Sequence, residues 1–247
     1  MPEKKSTVSE HLIELRSRLV NSIIFLIITF VVCYYFSEDI YNFLVDPYAE
    51  AVKDDGNDRR LIFTALHETF LTYIKLAFFS AFFFSCPLIL IQIWKFIAPG
   101  LYKNEKIALL PFLISTPILF LLGGMLVYYL IMPLAINFFL SFETTSLNGS
   151  LPIQLEAKVN EYLSLIMRLI LAFGISFQLP VFLTLLAKVG FIDSGYLKTR
   201  RKYVVIIIFS MAAILTPPDP ITQIGLAIPL LLLYEISIFT VKFVEKK

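Results

Sequence analysis

Histidine, cysteine and charge are all scarce in this chain, and each scarcity removes a class of function. Only His11 and His67 occur in 247 residues, and neither a Gly-x-Ser-x-Gly nor a His-Glu-x-x-His pattern is present. Hydrolysis within a membrane needs an activated nucleophile with its base, or a bound metal. No such set is available, so no catalytic residue, no metal site, no cofactor and no enzymatic activity are expected. Cys33 and Cys86 each lie in an apolar run without metal-ligand spacing, and read as small hydrophobes rather than a disulfide framework. Charged residues make up 16% of the chain, against about 25% in a soluble domain. No basic stripe interleaved with aromatics appears, so nucleic acid is not an expected partner.

Apolar residues are abundant instead, at 58% with a mean hydropathy of +0.80, which places the chain among membrane proteins. Six runs carry them: Leu19 to Phe36, Leu76 to Trp94, Ile107 to Met132, Leu169 to Ala187, Tyr203 to Leu215 and Ile224 to Val241. The first ends in Ser37-Glu38 rather than a small-residue cleavage site, so it reads as a retained span. The third is 26 residues long with Pro111, Pro117 and Gly123-Gly124, which predicts tilt, kinks or projection past the bilayer. Gln178-Leu179-Pro180 interrupts the fourth. The fifth has 13 residues, only ~20 Å as a helix against an apolar core of ~30 Å. The turn Thr216-Pro-Pro-Asp-Pro220 then leads into the sixth, and spans five and six are expected to be short.

Charge placement sets the orientation. Of the 21 lysines and arginines, 15 fall in the N-terminus, the 95–106 and 188–202 loops and the C-terminal tail, against four in the loops of the other side. The positive-inside rule therefore predicts an all-α polytopic protein with six transmembrane helices and both termini cytoplasmic. Residues 1–247 form one membrane domain: 1–18 a cytoplasmic amphipathic helix, 37–66 and 134–161 extracytoplasmic segments, 95–106 and 188–202 cytoplasmic loops.

The stretch Trp94 to Lys106 is the most unusual loop. Pro99-Gly100 is a turn signal, Trp94, Phe96 and Tyr102 are interfacial anchors, and Glu105 sits between Lys103 and Lys106. At the N-terminus, Thr7 and Glu10 form a capping box, and Val8, Leu12, Leu15 and Leu19 share one helical face. Glu14, taken alone, is an i,i+4 partner of Arg18 worth ~0.2–0.5 kcal/mol. Asp46-Pro47 marks a turn. Gln178 is an intramembrane amide able to bond across a helix interface, and Glu235 lies within three turns of the cytoplasmic end, paired or protonated; both are costly in lipid. Lys75 and Arg168 lie near the outer ends of their helices, where they can snorkel. Asp219 is a turn residue and helix N-cap before the last span.

His11-Leu-Ile-Glu-Leu-Arg16 resembles the N-terminal signature of the TatC family, the multi-spanning receptor subunit of the twin-arginine protein translocase. The Trp94–Glu105 loop, Ala172-Phe-Gly-Ile-Ser-Phe177, Leu215-Thr-Pro-Pro-Asp219 and Leu226-Ala-Ile-Pro229 are similar to further landmarks, in the family's order and across nearly the whole chain. The resemblance implies a cup-like, six-helix receptor in a bacterial-type cytoplasmic (inner) membrane. It would bind Arg-Arg signal peptides at the cytoplasmic face and export folded proteins using the proton-motive force. TatA and TatB, the small single-span subunits, are the implied partners, with membrane lipid and further copies of the chain in a larger complex.

Acidic positions matching Glu14 and Glu105 are implicated in signal-peptide recognition in that family, with Phe96 beside them. Arg16 and Lys103, in the same two stretches, complete the candidate set. Pro47, Gln178 and Asp219 match further sensitive positions and, with Glu235, form a set for structural or partner-subunit roles. Gln178 departs from a frequent glutamate, which weighs against a mechanism needing a titrating proton in mid-span four. Independently of the family, two guanidinium groups are best received by carboxylates, whose geometry matches the planar fork. A secondary transporter of a small solute is the competing expectation; it would favour paired repeats, and the run lengths of the two halves show none.

Overall fold

The structure, a computed structural model, describes residues 8–53, 60–97, 106–144, 153–188, 190–216 and 219–245, and among these it is helical with two isolated β-bridges. Helix α1 spans Val8–Tyr35, α2 Ser37–Val52, α3 Glu68–Ile97 and α4 Lys106–Leu126. A π turn at Val127–Ile131 joins α4 directly to α5, Met132–Leu140. Then follow α6 (Val159–Ser176), α7 (Leu179–Lys188), α8 (Ser194–Leu215) and α9 (Pro220–Glu245). Six rods cross the bundle: α1, α3, α4–π–α5, α6–α7, α8 and α9. Five of them contain stretches long and apolar enough to cross a membrane, and α8 is the sixth.

Several expected boundaries move. The predicted amphipathic segment 1–18 is not a separate helix where it is described, because α1 runs unbroken from Val8 into the span. Leu12, Leu15 and Leu19 are exposed, while Glu14 and Arg18 are half-buried against α3. Lipid, not protein, receives the leucines. The segments 37–66 and 134–161 both contain helix, α2 and the end of α5. The last two rods are the shortest of the six, yet at 22 and 26 residues they exceed their apolar runs. Helix α8 begins before the Lys198–Lys202 cluster, since basic residues form helix readily once their charges reach water. The capping box at Thr7 lies outside the described residues.

Helix α6 is the centre of the bundle. Leu163, Ile166, Leu169 and Phe173 are fully buried, and α6 packs on α3, α4 and α2. Lipid tails are as apolar as leucine, so association in a membrane relies on close packing rather than on water exclusion. Glycine supplies it here. A Cβ placed on Gly123 of α4 would fall 2.7 Å from the Phe173 carbonyl oxygen, and one on Gly174 of α6 would fall 2.8 Å from the Phe120 ring. By contrast α1 leans on α3 along one side and leaves nearly all its apolar surface to lipid.

Proline shapes the end of the bundle opposite the basic loops. Pro47 lies inside α2 rather than at the predicted turn; its missing N–H deprives the Phe43 carbonyl, four residues earlier, of its helical donor. A tyrosine replaces that donor. Tyr128, in the π turn, donates its hydroxyl to Phe43 O at 2.8 Å and stacks its ring on Phe43 at 4.4 Å. Tyr162 of α6 donates to the next carbonyl, Leu44 O, at 2.9 Å. From Phe112 to Ile136 the buried positions of this rod recur about every four residues, slower than the 3.6 of an α-helix. The wider winding of the π turn takes up part of that drift and keeps Tyr128 facing α2.

Two stability measurements in detergent check this account. Tyr128→Phe leaves the Phe43 carbonyl without a donor in an apolar setting, an expected loss of about 1–3 kcal/mol. In a Pro47→Ala background the new backbone N–H serves that carbonyl, and the same substitution is expected to cost under about 0.5 kcal/mol; equal costs in both backgrounds would refute the repair. Gly123→Ala forces α4 from α6 and is expected to destabilise by about 1–3 kcal/mol.

Candidate functional site

Glu14 and Phe96 come from helices α1 and α3, which run antiparallel, and one side-chain contact sets their register. Arg18 donates through Nε and Nη2 to Glu14 Oε1 at 3.0 and 2.6 Å, and through Nη1 to Gln92 Oε1 at 3.0 Å. Glu14 is one turn before Arg18 on α1, and Phe96 one turn beyond Gln92 on α3. Each step is about 6 Å toward the basic end, so the two side chains stand at the same height. The i,i+4 pairing expected for Glu14 is present, and it is half-buried. Any further cation arriving at Glu14 meets a carboxylate that already holds one guanidinium.

Arg16 is exposed on α1 near this level, and Phe96 is half-buried in the last turn of α3. Glu105, Lys103 and the intervening Pro99-Gly100 turn lie outside the described residues. Their neighbours are described: α3 ends at Ile97 and α4 begins at Lys106, so the loop joins two rods at the end where Glu14 sits.

The second set of candidates is spread through the bundle. Pro47 is in the α2 kink. Asp219 is a buried N-cap of α9: Oδ1 accepts from Thr222 N at 2.7 Å and Oδ2 from the Thr222 hydroxyl, with Pro220 at the first helical position. This is the expected cap, since an N-cap oxygen satisfies one of the free N–H groups of a helix start. Glu235 on α9 accepts from Arg201 Nη2 on α8 at 2.6 Å, a pair half exposed on each side that drew Arg201 out of the basic cluster.

Gln178 lies at the break between α6 and α7 and is buried, with Nε2 donating to Thr116 O on α4 at 2.9 Å. Its Oε1 is buried without a hydrogen-bond partner among the described residues. Half of its capacity therefore serves an internal bond and half is unspent. Beside it, α4, α7 and α9 leave an apolar groove of about 1100 Å³, lined by Ser115, Pro180, Val181 and Phe239 and ending at Lys188 and Glu245. Thr184 and Thr240 join their hydroxyls at 2.8 Å along it.

Several residues that organise these positions went unread in the sequence. Gln92 looks like an isolated amide at a helix end, and only its partner Arg18 gives it meaning. Tyr128 and Tyr162 carried a signal, because a phenol inside an apolar run needs an acceptor, but nothing in the sequence names Phe43 and Leu44. At the basic end, Glu245 accepts from Ser194 N at 2.5 Å and from the Ser194 hydroxyl at 2.6 Å. The last turn of α9 thereby caps the start of α8, where Asp193 also accepts from Tyr196 N. Among the described residues no three His, Cys, Asp or Glu side chains converge as metal ligands would.

Comparison with known proteins bears on all of this. The family model described as Sec-independent protein translocase protein (TatC) matches residues 10–229. The Sec-independent protein translocase protein TatC of Magnetococcus marinus is 49% identical, covering 99% of this chain and 87% of its own length. That of Rickettsia prowazekii is 46% identical over 98% and 95%, and that of Escherichia coli K12 39% over 94% and 87%. A crystal structure of the twin-arginine translocase receptor TatC superposes with a TM-score of 0.80 at 38% identity, covering 96% of this chain and all of that one. Sequence landmarks, helix order and three-dimensional arrangement agree over nearly the full length, and the chain belongs to the TatC family of Sec-independent protein translocase proteins.

Proposed function

We propose that this multi-pass membrane protein is the receptor subunit of a twin-arginine protein translocase, with both termini and the Glu14 end of the bundle cytoplasmic. It binds Arg-Arg signal peptides there and assembles with small single-span subunits to export folded proteins, using the proton-motive force. It acts by recognition and assembly, not by catalysis. The observation that carries the reading is the Arg18–Gln92 contact, which holds Glu14 of α1 level with Phe96 of α3 at the end of the bundle. Glu105 belongs to the loop leaving that same level, immediately before α4.

Glu14 and Glu105 receive the two guanidinium groups, and Phe96 supplies an apolar wall beside them. Arg16 and Lys103 keep the surroundings cationic, so a peptide must offer fork geometry and not merely charge. A bond to a charged group is worth ~1.5–3 kcal/mol; lysine can match the charge but not the bidentate geometry. Arg18 keeps Glu14 oriented while the site is empty. Pro47, Asp219 and Glu235 hold the frame through the α2 kink, the α9 cap and the α8–α9 pair. The unspent Gln178 oxygen suits a donor brought by a small subunit docking nearby, a role that needs no titrating proton.

Binding of an Arg-Arg peptide to the protein in membranes, with a Lys-Lys peptide as control, tests the reading. Glu14→Gln and Glu105→Gln are each expected to weaken Arg-Arg binding about tenfold or more, with membrane levels unchanged. Unchanged affinity in both variants would sink the assignment. Solute flux through proteoliposomes holding this chain alone would favour the transporter.

A further inference from the structure

The groove beside Gln178 has no part in the Glu14 site, and its depth, wall and mouth point to one occupant. Among the described residues it is lined along α4 from Pro111 to Leu119, along α7 from Pro180 to Lys188, and along α9 from Leu233 to Glu245. Eight helical residues rise about 12 Å and twelve about 18 Å. The groove opens toward the basic end of the bundle, so it covers roughly half of an apolar layer of ~30 Å. A membrane-spanning helix would find a wall for only half its length. An acyl chain of the leaflet at the basic end would find one for nearly all of its own.

The wall asks for no hydrogen bond. Ser115 donates to Phe112 O at 3.3 Å. The Thr184 and Thr240 hydroxyls lie 2.8 Å apart, with Pro180 O and Ser237 O at 2.6 and 2.9 Å from them. Val181, Ile236, Phe239 and Phe243 supply hydrocarbon, and the last three are exposed. Such a surface suits an apolar chain and repays nothing to a polar one.

The mouth carries one charge of each sign. Lys188, half-buried in the last turn of α7, lies over the Phe112 ring at 5.9 Å from its centroid. Glu245, exposed, ends α9 on the same mouth. Its two oxygens accept from Ser194 N and the Ser194 hydroxyl, and each keeps a second acceptor position. A purely anionic headgroup on Lys188 meets the Glu245 carboxylate. A zwitterionic one satisfies both, and only a primary ammonium can donate hydrogen bonds to Glu245, which a quaternary ammonium cannot.

We infer that the α4–α7–α9 groove binds one phosphatidylethanolamine of the leaflet at the basic end, with its phosphate on Lys188 and its ammonium on Glu245. An acyl chain then fills the space between α4, which packs chiefly on α6, and α9, which packs on α7 and α8. The site needs neither a signal peptide nor a partner subunit, so it stands apart from the receptor assignment.

Native mass spectrometry of the delipidated protein, titrated with phosphatidylethanolamine, phosphatidylglycerol or phosphatidylcholine, tests the assignment. One phosphatidylethanolamine is expected to be retained at about tenfold lower concentration than either other lipid. Lys188→Gln should weaken its retention about tenfold and Lys188→Arg less than about twofold. Glu245→Gln should weaken phosphatidylethanolamine while leaving phosphatidylglycerol unchanged or tighter, because the repelling carboxylate is gone. Free phosphoethanolamine, which lacks the chains, should not displace the lipid at equal concentration. In membranes holding the assembled translocase, phosphatidylethanolamine with a diazirine on its acyl chain should label Ser115, Phe239 or Phe243. Equal retention of the three lipids by the unaltered chain would overturn the inference, as would a preference indifferent to both charges. Absence of labelling in the groove, with a protein segment crosslinked there instead, would also overturn it.

Discussion

Lipid supplies no hydrogen bonds, so every break in a helix of this bundle has to be repaired by another part of the protein. The main irregularities follow from that constraint. Pro47 strands the Phe43 carbonyl, and Tyr128 is brought across from the π turn to serve it. The break between α6 and α7 sets Gln178 facing Thr116, which ties α7 to α4. The turn into α9 frees N–H groups that Asp219 caps. The first two repairs are also tertiary contacts, because the repairing group belongs to a different rod, whereas Asp219 serves the start of its own helix. Polar bonds therefore specify the arrangement that close glycine packing then tightens.

The two ends of the molecule are built differently as a result. Opposite the basic loops, α2, the π turn and α6 are bound together by tyrosine hydroxyls and stacked rings. At the basic end the contacts are charged and half exposed: Glu14 with Arg18, Glu235 with Arg201, and Glu245 over the start of α8. Exposed ion pairs contribute little to stability, commonly below about 1 kcal/mol. They can exchange partners at small cost, a property suited to receiving an arginine-rich ligand. The peripheral placement of α1, held to the bundle mainly by α3, leaves the Glu14 surface open.

Much of the fold was legible in the sequence because the membrane reads hydropathy directly. The apolar runs, the Gln178 interruption and the Asp219 cap all depend on local residue types, and all correspond to described features. The candidate site was legible only in part. Glu14 and Arg18 could be paired from their spacing, but the face they turn to the protein could not. The leucines of α1 share a face, but only the structure shows that this face is exposed and that Arg18 turns toward α3. Pro47 read as a turn because proline usually ends a helix; here distant tyrosines make its continuation affordable.

By itself the sequence determined how many spans there are, where they break and on which side positive charge gathers, because these depend on transfer of each segment from water to lipid. The tertiary structure decided which polar groups meet. Gln92 with Arg18, Tyr128 with Phe43 and Glu245 with Ser194 are relations between residues far apart in the chain. A hydrogen bond constrains two groups to within about 3 Å, and no property of either residue alone names the other.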